Sequence, residues 1–283
     1  VRNDRGAEPE DEGSPGRGAH THVCHEASDH QRWPDLGCPE VLKEIRPESP
    51  TYILVMTYLI FFSGVLGEIK LSKFYEDRAR DEVDLYPEFE RRAALILMNT
   101  SVTYRHYITG DFKASARLND WLLREIGQAG LAACLPLACY QSAAADYYLG
   151  RYEKGLAHAQ EGIRVAEKIH LRDSQKGWIY LAWAENCMGL GQWKKAEELA
   201  RQGLEIFEGP GNRWGQANAL NILARLYLKQ HRLSEAGDFV GIALEVIKDR
   251  GIDFPRAIIK LTRARLLVCQ KEYPSALDLL ISL

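Results

Sequence analysis

A rhythm of about forty residues governs most of this chain, and it constrains the fold more than any composition figure does. Five segments align without a gap in their central parts. They begin at Asn99 (NTSVTYRHYITGDFKASARLNDWLL), Tyr140 (YQSAAADYYLGRYEKGLAHAQEGIRVAEKI), Tyr180 (YLAWAENCMGLGQWKKAEELARQGLEIFE), Leu220 (LNILARLYLKQHRLSEAGDFVGIALEVIK) and Lys260 (KLTRARLLVCQKEYPSALDLLISL). One turn residue recurs in each copy: Gly110, Gly150, Gly191, His231 and Lys271, spaced by 40, 41, 40 and 40 positions. Self-similarity at such a period marks an array of supersecondary units rather than one globular core.

Each copy has the same internal design. An apolar run of about four helical turns ends at the turn residue, and a large apolar anchor follows two positions later: Phe112, Tyr152, Trp193, Leu233 or Tyr273. A second, amphipathic run comes next. Small residues recur where two helices must approach, at Ala143, Ala184, Ala224 and Ala264 in the first run and Ala196, Ala236 and Ala276 in the second. Side chains of that size let helix axes come within roughly 8–10 Å. Glycine at the turn supplies the positive φ that stops a helix, so His231 and Lys271 are expected to use another conformation. Pro87, Pro210 and Pro255 are expected in connections between copies, Pro136 near the start of a first helix and Pro274 in the first turn of a second. No strand-like alternation with hairpin signals appears in this part of the chain. The fold expected is all-α, a superhelical solenoid of antiparallel helix pairs over 49–283, with an earlier turn near Gly67 and the others near 110, 150, 191, 231 and 271.

The pattern resembles the tetratricopeptide repeat, whose usual period is about 34 residues. The longer period, and EGPGNRWGQANALNILARLYL across one junction, are similar to the sensor solenoid of large ATP-binding bacterial activators of the maltose-regulator (MalT-like, LuxR-type) kind. VLKEIRPESPTYILVMTYLIFFSGVLGEIKL is similar to the start of that solenoid. The resemblance implies a ligand- or partner-sensing segment of a bacterial signalling or transcriptional regulator. Full-length members carry a phosphate-binding loop and a helix-turn-helix, and the chain has no G-x-x-x-x-G-K-[ST] run. It is therefore expected to be a fragment or remnant of a larger regulator.

Residues 1–48 read differently. The first fifty residues hold 11 acidic and 6 basic side chains and 6 of the 11 prolines, with almost no apolar periodicity. This is the composition of a disordered acidic lead. Val1 in first place suggests a processed or truncated product, and the opening VRNDRGAEPEDEGSPGRG has no apolar core of a secretory signal. With 36 Lys+Arg against 39 Asp+Glu, the whole chain lacks the positive excess of a general nucleic-acid binder. Thr51 to Gly67 is uncharged for 17 residues, short for a bilayer span, and reads as a buried helix rather than a membrane segment. Cys134, Cys139, Cys187 and Cys269 lie in apolar helical patterns without a C-x-x-C pair and read as reduced core or near-core thiols of a cytoplasmic protein.

Little in the chain suggests catalysis. His20, His22, Cys24, His25, His30 and Cys38 are metal-ligand types, but their spacing matches no zinc-finger form, and they read as solvated tail. GPGNRWG at 209–215 follows a helix, not a strand, so it reads as an inter-repeat turn. No enzyme, metal or cofactor is expected. The candidate site is the inner groove lined by the first helices, where residues three or four apart share a face. Its stripe runs Thr100, Tyr104, Tyr107; Tyr140, Ala144, Tyr147; Trp178, Leu181, Glu185; Asn218, Asn221, Arg225; Leu261, Arg265. Arg225 and Arg265 have the chemistry to take a carboxylate, or to pair with a Glu of the adjacent repeat. Asn218 and Asn221 suit a peptide amide or a sugar hydroxyl. Each tyrosine taken singly reads as inter-helix core before it reads as ligand surface. The partner expected is a protein or peptide, or a small effector such as an oligosaccharide. The alternative is a structural adaptor using convex or terminal surfaces near Leu277 and Leu280, including self-association through an uncapped C-terminal end.

Overall fold

The structure is a computed structural model that describes residues 42–171, 173–208, 212–248 and 253–283. Residues 1–41 of the acidic lead, with its His/Cys cluster, and Pro210 lie outside the described residues. Among the described residues every regular element is helical and none is a strand. The α-helices are α1 (Pro50–Val65), α2 (Ile69–Glu82), α3 (Glu88–Ile108), α4 (Phe112–Ala129), α5 (Leu135–Tyr148), α6 (Tyr152–Lys168), α7 (Asp173–Gly189), α8 (Trp193–Glu208), α9 (Arg213–Lys229), α10 (Leu233–Val246), α11 (Asp253–Cys269) and α12 (Tyr273–Ile281). Two single 3₁₀ turns, Val83–Leu85 and Ala132–Cys134, lie between pairs.

The odd-numbered helices are the first members of the pairs, and each anchor residue opens the second: Phe112 starts α4, Tyr152 α6, Trp193 α8, Leu233 α10 and Tyr273 α12. From α5 to α10 each first helix packs on its own second helix and on the first helix of the next pair. The small residues are the reason. Ala143, Ala184, Ala224 and Ala264 are fully buried, as are Ala196, Ala236 and Ala276. Thr103, Ser115 and Gly155 occupy the same register positions in the earlier copies and are buried too. At Gly155 a Cβ would lie 2.2 Å from Oδ1 of Asn186, so the outer helix can approach only because nothing stands there. Asn186 uses the same contact zone to bind the stack. Its Nδ2 donates to the carbonyls of Ala143 in the preceding copy (2.9 Å) and of Ala182 (2.8 Å).

The turns correct one expectation. His231 and Lys271 do not change conformation: their φ values of 58° and 66° fall with those of Gly110 (79°), Gly150 (71°) and Gly191 (71°). The hydrogen bonds also match. Gly150 N–H donates to Tyr147 O at 3.1 Å and Arg151 N–H to Asp146 O at 2.9 Å. The counterparts His231 to Leu228 (3.1 Å) and Arg232 to Tyr227 (2.9 Å) repeat both bonds, as do Lys271 to Val268 and Glu272 to Leu267. These are paired C-terminal bonds that satisfy the last helix carbonyls, and the packing of two helices enforces them even where a Cβ opposes the left-handed region. Gly67, with φ of 83°, ends the apolar run of α1 in the same region of backbone space.

Other small departures follow from local chemistry. Pro255 lies in the first turn of α11 rather than in a connection, where its missing N–H costs nothing. Cys139 and Cys187 are buried and Cys134 half-buried, but Cys269 is exposed at the end of α11. Among the described residues no helix is long and apolar enough to cross a membrane. The uncharged run instead forms α1, with Tyr52, Met56 and Ile60 fully buried. Ser49 caps it by accepting from Thr51 N–H, and Tyr86 Oη donates to the carbonyl of Ser49 at 2.8 Å. Asp111 and Asn212 cap α4 and α9 by accepting from the N–H groups of Ala114 and Gly215.

Candidate inner-groove binding site

Six of the stripe residues meet. Tyr104 and Tyr107 of α3, Tyr140 of α5, Trp178 of α7 and Asn218 and Asn221 of α9 line one small cavity of about 30 Å³, closed on the far side by Pro255, Ile258 and Ile259 of α11. Aromatic rings from the early copies and amides from a later one therefore face the same space. The first helices do line it, and the curvature of the array brings copies three and four apart into contact.

Trp214, in the first turn of α9, makes that contact. Its ring lies 5.5 Å from Trp178, 6.3 Å from Tyr104 and 6.5 Å from Phe61 of α1. Phe61 in turn stands 4.9 Å from Tyr104. Behind Trp178 sits the fully buried Phe207, with ring centroids 5.0 Å apart. Phe207 fits because Gly177 and Gly215 flank it; a Cβ on either would come within 2.7 Å of its ring. Neither Trp214 nor Phe61 belongs to the sequence-derived stripe. The first lies in the GPGNRWG segment and the second in the uncharged run, both set aside as structural.

Next to this cavity, and sharing Tyr104, Tyr140, Trp178 and Trp214 with it, is a larger cleft of about 500 Å³. Leu54, Tyr58, Phe61 and Phe62 of α1 form one wall and Leu97, Thr100 and Leu137 contribute to the other. Leu54, Tyr58 and Phe62 are the exposed face of α1, so the helix is buried on one side and presents aromatic and aliphatic groups to the cleft on the other. Gln141 reaches in from α5. Its Nε2 donates to Thr100 O at 3.0 Å, whereas its Oε1 is buried with no partner.

Asn221 is the most telling side chain. It is fully buried, it lines the small cavity, and neither its Oδ1 nor its Nδ2 has a hydrogen-bond partner. A carboxamide left so is costly, by about 1–3 kcal/mol for each orphaned group, unless something else completes it.

Three other stripe residues form a separate polar knot. Arg225 Nη1 donates to Glu185 Oε1 at 2.5 Å across exactly one period of the array, and its Nη2 donates to Tyr147 Oη at 2.9 Å. The guanidinium also lies 5.3 Å from the Tyr147 ring centroid. This is the inter-repeat pair that the sequence allowed, but buried instead of exposed, with side chains only 12% and 7% accessible. Burial pushes the Glu185 carboxyl up, and the Arg225 charge opposes that. Burial would lower Arg225, and the Glu185 charge outweighs it and holds the guanidinium protonated. Arg225 is thus already committed to an internal carboxylate. Burial likewise pushes the Tyr104, Tyr107 and Tyr140 hydroxyls above their ordinary range, so they remain neutral donors. Leu181 is core, and Leu261 and Arg265 are exposed and line neither cavity.

No family model matches the sequence, and no curated protein matches it either. Solved structures do. The chain is similar to a signal-transduction ATPase with numerous domains and a tetratricopeptide repeat sensor from Pyrococcus horikoshii, at 15% identity and a TM-score of 0.53 over 82% of this chain. It spans 36% of that protein's length. A Rap protein complexed with competence and sporulation factor aligns over 90% of this chain and 80% of its own, at 15% identity and a TM-score of 0.62. Aspartyl phosphate phosphatase F from Bacillus subtilis aligns over 93% and 77%, at 13% identity and a TM-score of 0.58. At these identities the likeness is one of fold: this is a tetratricopeptide-like, all-helical repeat protein.

Proposed function

We propose that the chain is a non-catalytic binding scaffold whose inner groove takes a protein or peptide, acting in the cytoplasm as the sensing segment of a signalling or transcriptional regulator. The observation that carries the reading is Asn221: a buried carboxamide with no internal partner, at the point where six stripe residues converge. A carboxamide offers one acceptor and two donors and so matches a peptide bond. Two likenesses support it: a solved repeat array that is the sensor of a signal-transduction ATPase, and a Rap protein solved with a bound factor. Occupancy would act by changing the curvature of the array. Each repeat contacts only its neighbours, so small shifts at successive interfaces add. The maltose-regulator likeness is the narrowest form of this proposal, and a small effector such as an oligosaccharide is the variant in which hydroxyls replace the peptide bond.

Thermal-shift and pull-down measurements with peptide and oligosaccharide panels test it. Asn221→Ala and Asn218→Ala are expected to abolish capture while the fold is retained. Capture that both substitutions leave unchanged would place binding elsewhere. One observation favours such a second reading, an adaptor working through its end. Leu277 and Leu280 of α12 are 59% and 43% exposed, although Ala159, Ala200 and Val240, in the register of Leu280, are buried. In that case Leu280→Glu, not a groove substitution, would abolish assembly.

A further inference from the structure

The groove carries a stronger statement about its ligand than the sequence does. Among the described residues lining the two cavities there is no Asp, Glu, Lys, Arg or His. The nearest buried charges, Arg225 and Glu185, neutralise each other and line neither space. The polar groups on offer are all uncharged, and two of them lack a partner. Asn221 presents an unpartnered carboxamide to the small cavity, and Gln141, itself buried, presents an unpartnered Oε1 to the cleft. The rest is aromatic and aliphatic surface, mainly Leu54, Phe61, Phe62, Leu97, Leu137 and Trp178, with neutral hydroxyl and amide groups such as Thr57, Ser101 and Gln175 among it.

We propose that the ligand is an uncharged apolar peptide segment: a large aromatic or aliphatic side chain enters the cleft beside α1, and backbone amides pair with Gln141 directly and with Asn221 across the adjoining water-sized cavity. This rests on the groove reading given above and narrows it. A carboxylate or ammonium group entering here would lose its hydration with no counter-charge to replace it. A peptide backbone loses little, because Gln141 Oε1 accepts from an N–H and Asn221 is completed through the small cavity, whose volume of about 30 Å³ suits one bridging water. The cleft has the size that buries one or two large side chains. The sequence-based expectation of an acidic ligand part held by Arg225 is thereby replaced, since that guanidinium is saturated from within.

The test uses the full chain and acetylated, amidated pentapeptides with alanine flanks and a central Phe-Leu-Phe, against the same peptides with the middle residue changed to Glu or Lys. Calorimetric titration is the readout. The neutral peptide is expected to bind at least roughly tenfold more tightly than either charged one, and Asn221→Leu to weaken it by a similar factor. Gln141→Leu, which removes one acceptor, is expected to cost less than Asn221→Leu. Should Asn221→Leu fail to fold, Leu54→Lys on the exposed side of α1 replaces it and is expected to bring the Glu peptide close to the neutral one. Charged peptides that bind as tightly as the neutral one, with Asn221 or Leu54 dependence, would overturn the ligand class and leave the groove reading standing. No peptide binding that responds to any of these substitutions would overturn both.

Discussion

The seam between inner and outer helices obeys the forty-residue period, and the groove does not. Along the seam the same register position holds Thr103, Ala143, Ala184, Ala224 and Ala264, all fully buried. Along the groove the very next register position holds Tyr104, Ala144, Glu185, Arg225 and Arg265, four different side-chain types in five copies. The seam positions face an identical neighbour in every copy, so packing admits only one size. The groove positions face whatever curvature brings opposite them, and there each copy is free to differ. Repetition therefore marks what holds the array together, and loss of repetition marks the inner surface that the copies do not share.

That contrast predicts the largest effect at Phe207, where the two regions touch. Its ring fills the space between Gly177 and Gly215 and supports Trp178 from behind. Phe207→Ala is expected to cost about 3–5 kcal/mol in chemical denaturation and to weaken groove binding as well. A substitution that removes a groove contact without touching the seam, such as Asn221→Leu, is expected instead to leave the melting temperature unchanged or raise it, because an unpartnered buried amide disappears. If both lost stability alike, the separation of seam from groove would fail.

Arg225→Leu comes next. It leaves Glu185 buried and unpaired, at an expected cost of about 3–5 kcal/mol at neutral pH, and Arg225→Leu with Glu185→Leu should recover most of it. The pH dependence gives the sharper readout. Glu185 already titrates above the ordinary carboxylate value because of burial, and without Arg225 only burial remains. A carboxyl raised in the folded state holds its stabilising contribution below the unfolded value and loses it as pH rises through the folded one. The Arg225→Leu variant should therefore gain on the parent as pH falls from its own, higher folded value toward that of the parent, both of them above the ordinary carboxylate value.

The opposite sign is expected at the other end of the array. Glu76 of α2 accepts from Arg80 Nε at 3.0 Å and from Arg105 of α3, and Arg80 Nη2 donates on to Asn99 Oδ1 at 3.0 Å. Burial pulls the Glu76 carboxyl upward, but the two guanidinium groups outweigh it and hold it below its ordinary value. Its contribution is present above about 4.5 and is lost as pH falls through the lower, folded value. Glu76→Gln is expected to cost about 1.5–3 kcal/mol at neutral pH and to flatten the acid limb of the stability curve.

What the sequence made legible follows the same division. The period, the anchors, the small seam residues and the all-helical fold were readable, because packing of like on like repeats its demands in the chain. Six groove residues were readable from helical spacing alone. Trp214 and Phe61 were not: they meet across more than 150 positions, and only the curvature of three intervening pairs brings them together. The Glu185 partner of Arg225 lies one period upstream, at a separation of 40 residues, and was readable as a pair, but its burial was not. His231 and Lys271 misled because residue preference is a local rule, and the turn is set by the two helices it joins.

Those two turns give the smallest effect and the finest test of the seam. If the packing of paired helices imposes the left-handed turn, then His231 and Lys271 hold φ values of 58° and 66° against the preference of any residue with a Cβ. That preference is worth about 1–2 kcal/mol, part of which glycine gives back through the greater freedom of the unfolded chain. His231→Gly and Lys271→Gly are each expected to raise stability by about 0.5–1 kcal/mol, and together to add, since the turns are one period apart and share no partner. The reverse change, Gly150→Ala, should cost a similar amount at a site where a Cβ would meet nothing within 4 Å, so that backbone strain alone is measured. Loss of stability on His231→Gly would mean that the side chain, not the seam, holds that turn. The fourth copy would then close by a mechanism of its own.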